Sequence, residues 1–226
     1  MDAATAQTRL RRLTKQLAWM TPCVLAAPYA IGYLLTAHLT VNAFAAAAGG
    51  IGWMVAFLAR APVSLMMKAL NPACTHVALN AVSGPLEEST RLMLLLMLKA
   101  GRDIAIESAV GWSTVEVLYY LIAGFVAIRR ARANPEDPGS RQLIAAAAGA
   151  SGAGVIWAVV ERTGATLAHA GFALLIVFNP AFALLAACLH STLDLCAVAL
   201  ARKSRVAAEL FIVVFGGAVV ATGLQL

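Results

Sequence analysis

Apolar residues along the chain fall into long runs separated by short polar segments. A helix needs about 20 apolar residues to cross the hydrocarbon core at a rise of about 1.5 Å per residue, so each run is long enough to span a membrane. The pattern predicts an all-α, polytopic membrane helix bundle of about seven transmembrane helices, with a range of six to eight. The runs cover approximately residues 17–36, 40–59, 73–98, 104–128, 142–178, 181–200 and 205–225.

The run at 142–178 is too long for one straight crossing. Two full crossings here would place the basic residues at 202–205 on the opposite side of the membrane from the other basic segments. We therefore predict one long, tilted or broken element, and an eighth span is the alternative. Its possible bends are Gly149, Gly152, Gly154 and Gly164.

The polar segments predict the orientation of a single membrane domain, residues 1–226. Residues 129–141, RRARANPEDPGSR, have the Pro, Gly and Ser content of a loop, and four arginines outweigh two acids. Residues 1–16 are also basic. Because basic segments stay in the cytoplasm, we expect both segments to be cytoplasmic and the protein to lie in the cell membrane. The run from Leu17 to Leu35 exceeds the roughly 7–15 apolar residues of a signal peptide, so it is a retained first span.

Composition supports the membrane class and limits the partners. The chain is 61% hydrophobic and 12% charged, whereas soluble domains carry about 25% charged residues. The net charge of +6 comes from short clusters between apolar runs, which indicates contact with membrane lipids and argues against nucleic acid. Four cysteines lie within apolar runs without a CxxC pair, so they are most simply buried small hydrophobes.

Several ionisable side chains interrupt the apolar runs. Each costs about 2.5–3.5 kcal/mol near the bilayer centre, so each one calls for a partner or a function. The set contains Glu87, Glu88, Arg91, Glu116, Glu161, Arg162, His169, His190 and Asp194.

The first group combines two adjacent carboxylates with one arginine. Glu87 and Glu88 precede Arg91 by four and three residues, so either carboxylate can reach the guanidinium on a helix. Arg91 would then neutralise one glutamate and leave the other for chemistry, and we favour Glu88 as the reactive one. The alternative is a buried ion pair near a helix end.

The last group, His190 and Asp194, has a spacing of four that places both side chains on one helical face. They can converge on a divalent metal, a water or a substrate oxygen, or Asp194 can simply orient His190. With His169 and a glutamate, these residues suit a zinc site of nitrogen and oxygen ligands with a spare Glu as base. They suit equally a metal-free site in which a Glu–His pair activates water and the other groups stabilise an oxyanion.

Glu116 lies alone in an apolar run, and Gly111 gives an opposing helix room to approach it. A lone Glu there faces the bundle interior, where it can be a ligand, a proton carrier or a partner for Arg91 or Arg162.

In order and spacing, residues 60–200 resemble the YhfC family of intramembrane metalloproteases. The matching elements are Glu87-Glu88-Ser89-Thr90-Arg91, the Gly-containing span with Glu116, Glu161-Arg162 followed by His169, and His190 to Asp194. That family is similar to a superfamily with CAAX-processing and bacteriocin-processing proteases, PrsW proteases and the Aph subunit of gamma-secretase. The chain departs from the superfamily pattern because Arg91 comes one residue early and Ala165 replaces a Phe.

The resemblance implies a catalytic cavity inside the bilayer that is open to water. Glu88 or Glu87 would be the base or first ligand, and His169, His190 and Asp194 would complete the centre, with these residues as the ligands of zinc if a metal is bound. Arg91, Glu116, Glu161 and Arg162 would surround it. The expected activity is cleavage of a membrane protein or lipidated peptide.

Two other functions stay open at this point. The Aph comparison implies that the scaffold can serve as a non-catalytic assembly subunit with a partner chain or as an oligomer. A proton-coupled transporter rests on the same acids, but the sequence shows no inverted repeat.

Overall fold

The computed structural model describes residues 3–37, 42–70, 74–146 and 153–226, and every regular element in those ranges is a helix. The all-α prediction is confirmed. The helices are α1 (Ala3–Thr36), α2 (Ala43–Leu70), α3 (Thr75–Met97), α4 (Arg102–Ala133), α5 (Pro138–Ala146), α6 (Ala153–Phe178), α7 (Phe182–Ala201) and α8 (Arg205–Gln225).

Seven of these helices are long, and each coincides with one of the seven predicted spans. Among the described residues, α1, α2, α4, α7 and α8 are long and apolar enough to cross a membrane by length and composition. The other two long helices carry ionisable side chains in their interior, Glu87, Glu88 and Arg91 on α3 and Glu161, Arg162 and His169 on α6. The remaining members of the predicted set lie on two of the apolar helices, Glu116 on α4 and His190 and Asp194 on α7.

The described residues of the predicted element at 142–178 belong to two helices, the last part of α5 and all of α6. The residues between these helices, including Gly149 and Gly152, lie outside the described part of the chain, so the bends predicted there stay predictions. Gly164 was predicted as a bend, but it lies within α6, where a Cβ would meet the backbone of α8 near Val213. It therefore serves close helix packing, and Gly154 also lies inside α6.

The polar segments are more helical than predicted. Residues 129–133 extend α4, and Pro138 starts α5, so residues 134–137 form the whole non-helical connection. The physical reason is a strong helix start: Asp137 Oδ2 accepts hydrogen bonds from the backbone N–H groups of Gly139 and Ser140, and Pro is favoured at the first helical position. The described part of the basic segment 1–16 extends α1, because Leu10 packs against Ile128 of α4.

Contacts along the helices show which ends lie together. Gly32 of α1 lies against Val110 of α4, and Arg132 near the end of α4 donates to Thr14 near the start of α1, so these helices are antiparallel. A short turn joins α3 to α4. The starts of α1 and α3 therefore lie at the same face of the bundle as the end of α4, and we call this face the N-terminal side.

The second half of the chain follows the same alternation. Ser83 of α3 bonds Asp194 of α7, and Gly84 lies against Ala187, so these two helices are antiparallel. Short turns at 179–181 and 202–204 join α6 to α7 and α7 to α8. The start of α6, the end of α7 and the start of α8 therefore lie at the N-terminal side.

Small residues let the helix backbones touch. A Cβ on Gly49 would meet the Ser108 backbone of α4, and a Cβ on Gly111 would meet the Ala46 backbone of α2. The contact at Gly111 agrees with the prediction that this glycine gives an opposing helix room to approach. In lipid, such packing is a main source of helix association, so these glycines hold α2 against α4 beside the polar centre.

Candidate active site

A cavity of about 250 Å³ lies among α2, α3, α4, α6, α7 and α8. Seven of the nine predicted residues line it, and Glu88 and Arg91 lie behind its wall. The lining continues along Asn80, Glu161 and Val198, which lie in the halves of their helices nearer the N-terminal side. The cavity therefore extends from the polar centre toward that side. The seven are Glu87, Glu116, Glu161, Arg162, His169, His190 and Asp194.

Arg91, Glu88 and His190 form a buried chain of charge-assisted hydrogen bonds. The Arg91 Nε donates to Glu88 Oε2 at 2.9 Å, and Glu88 Oε1 lies 2.7 Å from His190 Nδ1. Because a carboxylate only accepts, His190 carries its proton on Nδ1. Glu88 is 0% and Arg91 1% exposed, so both are shielded from water.

The bond at Nδ1 decides what His190 offers to the cavity. Its Nε2 is left as the acceptor nitrogen, and Glu87 Oε2 lies 3.8 Å and Asp194 Oδ2 4.0 Å away. Both separations exceed a direct hydrogen bond and suit a bridging water. His190 thus presents a lone pair between two carboxylates.

Two aromatic contacts hold the His190 ring in place. Phe172, which is fully buried, stacks on it with ring centroids 5.3 Å apart and an interplanar angle of 16°. His169 meets it edge to face at 5.5 Å. Stacking and the Glu88 bond together restrict both the tilt and the rotation of the imidazole.

Glu87 faces the cavity on the other side of His190. Its Oε1 pairs with Arg60, and its Oε2 accepts from Trp112 Nε1 at 3.0 Å. Glu87 is thus the carboxylate that reaches the cavity, whereas Arg91 engages Glu88. The prediction that Arg91 engages one of the two glutamates thus finds Glu88 as its partner, and the preference for Glu88 as the reactive glutamate stays a prediction.

His169 is hydrogen-bonded at both ring nitrogens. The Arg91 Nη2 lies 2.9 Å from Nδ1, and Glu116 Oε2 lies 3.0 Å from Nε2. Since arginine only donates, Nδ1 is the acceptor and Nε2–H donates to Glu116. Arg91 also donates to the His169 carbonyl oxygen at 3.2 Å, so His169 is oriented from two sides.

Arg162 neutralises the carboxylates at the mouth of the site. It donates to Glu116 Oε1 at 2.9 Å and also pairs with Glu161. The prediction that Glu116 partners an arginine thus finds Arg162 as that partner. Arg91 then links this network to the His190 network through His169.

Asp194 lies at the exposed margin of the cavity. Its side chain is 31% exposed, and its Oδ2 accepts from Ser83 Oγ. The predicted convergence of His190 and Asp194 on one face is present, but the 4.0 Å separation excludes a direct bond that would orient the imidazole. Glu88 orients His190 instead.

A metal ion has one candidate group among the described residues. Glu87, His169 and His190 each offer a donor atom, and these atoms lie within 4.8 Å of one another. Both nitrogens of His169 already have hydrogen-bond partners, whereas each Glu87 oxygen accepts one bond and keeps a second lone pair. Only His190 presents a nitrogen lone pair that no protein donor uses.

Sequence reasoning missed residues that lie on neighbouring helices. Arg60 was placed beyond the end of the second span, but α2 continues to Leu70 and carries Arg60 into the bundle. Trp112 and Phe172 have no sequence signal that separates them from core aromatics. The one signal in the sequence was the position of Arg60, one residue after the predicted second span, which is close enough to the span to enter the bundle.

Comparisons of the chain with protein-family models, with curated proteins and with solved structures find no match.

Proposed function

We propose that the protein is an intramembrane protease that hydrolyses a peptide bond within or near the membrane. The supporting observation is the orientation of His190: Glu88, itself held by Arg91, binds Nδ1 and leaves Nε2 facing a polar cavity. A histidine whose second nitrogen is fixed by a carboxylate is the arrangement of a general base. The resemblance of the motifs to the YhfC family points to the same activity.

The proposed reaction begins with a water bridging His190 Nε2 and Glu87 Oε2. His190 takes a proton from the water while the water oxygen attacks the carbonyl carbon of the substrate peptide bond. The buried Glu88 carboxylate stabilises the resulting imidazolium of His190. The tetrahedral oxyanion then collapses, the C–N bond breaks, and His190 returns the proton to the leaving amine. Arg60, which lines the cavity beside Glu87, supplies positive charge near the oxyanion.

Zinc would require a rearrangement of the candidate group. A catalytic zinc site uses three protein ligands, and here His190 offers a free nitrogen and Glu87 a carboxylate oxygen. His169 would have to give up its bond to Glu116 or to Arg91 to become a third ligand. We therefore derive the reaction without a metal, and chelation tests this choice.

The substrate class follows from the location of the cavity. The site lies among helices that carry the membrane-spanning segments, and it extends toward the N-terminal side. Because membrane proteins and lipidated peptides are held in the same bilayer as this site, we propose these as substrates.

Charge at the helix ends supports a cytoplasmic N-terminal side in the cell membrane. At the opposite ends of the described helices, the cations are Lys99 and Arg102. Because cytoplasmic segments carry the excess of Lys and Arg, this asymmetry favours an inward N-terminal side. The cations at that side are Arg9, Arg11, Arg12, Lys15, Lys68, Arg129, Arg130, Arg132, Arg141, Arg202, Lys203 and Arg205.

The second candidate is a non-catalytic assembly subunit. One observation favours it: the carboxylates of Glu87, Glu88 and Glu116 are each paired with an arginine, as a structural polar core requires. A subunit of this kind would bind a stoichiometric partner and cut nothing.

The test compares new protein termini in membranes. Membranes containing the wild-type chain, His190→Gln or Glu107→Gln would be profiled by mass spectrometry. Glu107 caps α2 at the far side of the bundle, accepting from the Asn42 N–H at 3.1 Å, so it is a matched buried control. We expect termini that appear with the wild type and the control and disappear with His190→Gln. Identical profiles in all three, with a co-purifying partner, would favour the subunit.

A further inference from the structure

The longest helices project beyond the bilayer at the N-terminal side. α1 has 34 residues and α4 has 32, lengths of about 51 and 48 Å at about 1.5 Å per residue. The hydrocarbon core is about 30 Å thick. About 12–14 residues of each helix therefore extend past it, and the polar sequence at the start of α1 and the end of α4 identifies which ends these are.

A groove of about 840 Å³ lies between these projecting ends. One face of α1 forms its wall, with positions repeating at three and four residues as one side of a helix does. Arg132 of α4 forms the other wall, and its Nη2 donates to Thr14 Oγ1 at 2.7 Å, which fixes the two walls together. The residues of α1 are Thr8, Arg11, Arg12, Thr14, Lys15, Gln16 and Trp19.

The charge of the groove has one sign. The described residues that line it include four cations, Arg11, Arg12, Lys15 and Arg132, and no carboxylate. Such a cluster directly beside a membrane span attracts anionic headgroups. The hydroxyl groups of Thr8 and Thr14 add hydrogen-bonding groups along the same wall.

Trp19 sets the depth of the groove in the membrane. Its side chain is 76% exposed one turn beyond Lys15, where the apolar run begins. Exposed tryptophan is enriched at the level of the headgroups, where the ring lies among lipid and the indole N–H meets polar groups. The cations therefore lie at the height of lipid phosphates, and Trp19 lies beside the upper acyl chains.

We propose that this groove binds the headgroup of an anionic phospholipid. The phosphate lies among the four cations, and the acyl chains pass down α1 beside Trp19. Binding ties the projecting start of α1 to the end of α4 at the membrane surface. The proposal is independent of peptide hydrolysis.

The test measures lipid retention by the purified full-length chain. Native mass spectrometry would count bound lipids after exposure in detergent to equimolar phosphatidylglycerol and phosphatidylcholine. The variant Arg11→Ala/Lys15→Ala/Arg132→Ala removes three groove charges. Each cation near a surface contributes about fivefold in affinity, so we expect a loss of at least tenfold in phosphatidylglycerol binding and no change for phosphatidylcholine.

A matched control removes three exposed cations from the same side outside the groove, Arg129→Ala/Arg202→Ala/Lys203→Ala. We expect it to retain the wild-type preference within twofold. An equal loss in the control would overturn the proposal, since it would show a general charge effect. Unchanged binding in the groove variant would also overturn it.

Two further measurements keep the result interpretable. If the triple variant fails to fold, Arg11→Ala alone should still lower phosphatidylglycerol binding about fivefold. Displacement of the lipid by inorganic phosphate at equal concentration would contradict the proposal, because it would reveal a site for free anions.

Discussion

Replacing Arg91 with methionine should destabilise the bundle more than any surface change. The guanidinium is 1% exposed and lies 4.3 Å above the Trp112 ring. It donates to Glu88 Oε2 at 2.9 Å and makes two further bonds to His169, at 2.9 and 3.2 Å. Methionine fills much of the same volume, so the change mainly removes charge and donors.

The magnitude follows from what the substitution leaves behind. Glu88, 0% exposed, would keep its bond to His190 but lose its cation, and stranding a buried charge costs about 3–5 kcal/mol. The acceptors on His169 lose donors as well, at about 1–3 kcal/mol for an unsatisfied buried group. Together these contributions predict a loss of about 4–8 kcal/mol in the free energy of unfolding.

Neutralising the stranded carboxylate should recover part of this loss. Glu88→Gln/Arg91→Met should be about 2–3 kcal/mol more stable than Arg91→Met, because no buried charge remains unpaired. The assay is reversible unfolding of the purified chain in mixed micelles. The control is Arg130→Met, an exposed position on α4 where we expect a change within about 0.5 kcal/mol.

Two outcomes would refute this reasoning. A cost below about 1 kcal/mol for Arg91→Met would mean that water reaches the pair. Additive costs for Glu88→Gln and Arg91→Met would mean that the two side chains do not interact.

Further expectations concern the packing and the site. Gly111→Leu should lower the free energy of unfolding by more than about 3 kcal/mol, because the new leucine side chain would meet the Ala46 backbone. Gly217→Ala should change the free energy of unfolding little, because the space around Gly217 is open. Trp112→Phe should remove the 3.0 Å hydrogen bond to Glu87 and slow hydrolysis by about tenfold or more, while an unfolding assay shows the fold retained. An unchanged cleavage rate would exclude Glu87 from positioning water. Treatment with a zinc chelator should leave cleavage within twofold of the untreated rate, and a loss restored by added zinc would instead place a metal in the site.

The sequence predicted the helical framework well because apolar run length is a strong signal in membrane proteins. The starts of α7 and α8, predicted at 181 and 205, lie at Phe182 and Arg205. The start of α1 and the end of α4 were predicted less well, since helices that project past the bilayer contain polar residues and lose the apolar signal. Arg60 was placed outside the second span because its charge ended the apolar run at residue 59.

The residues of the site were predictable from the sequence, but which carboxylate pairs with which arginine or histidine was not. Ionisable residues in apolar runs identify the cluster, because burial is costly without partners. Which glutamate meets Arg91 depends on the helix rotation that α7 and α4 impose on α3, through His190 on Glu88 and Trp112 on Glu87. The rotation of a helix is set by its packing against other helices, so the spacing of residues along the sequence does not predict it.

The central claim is that His190, oriented by Glu88, activates water for peptide hydrolysis. The most direct measurement is single-turnover cleavage of a peptide around an identified cleavage site, by purified wild type and His190→Gln in ¹⁸O-labelled water. We predict one labelled oxygen in the new carboxylate and a rate at least about 100-fold lower for His190→Gln. Cleavage by His190→Gln at the wild-type rate would contradict the account.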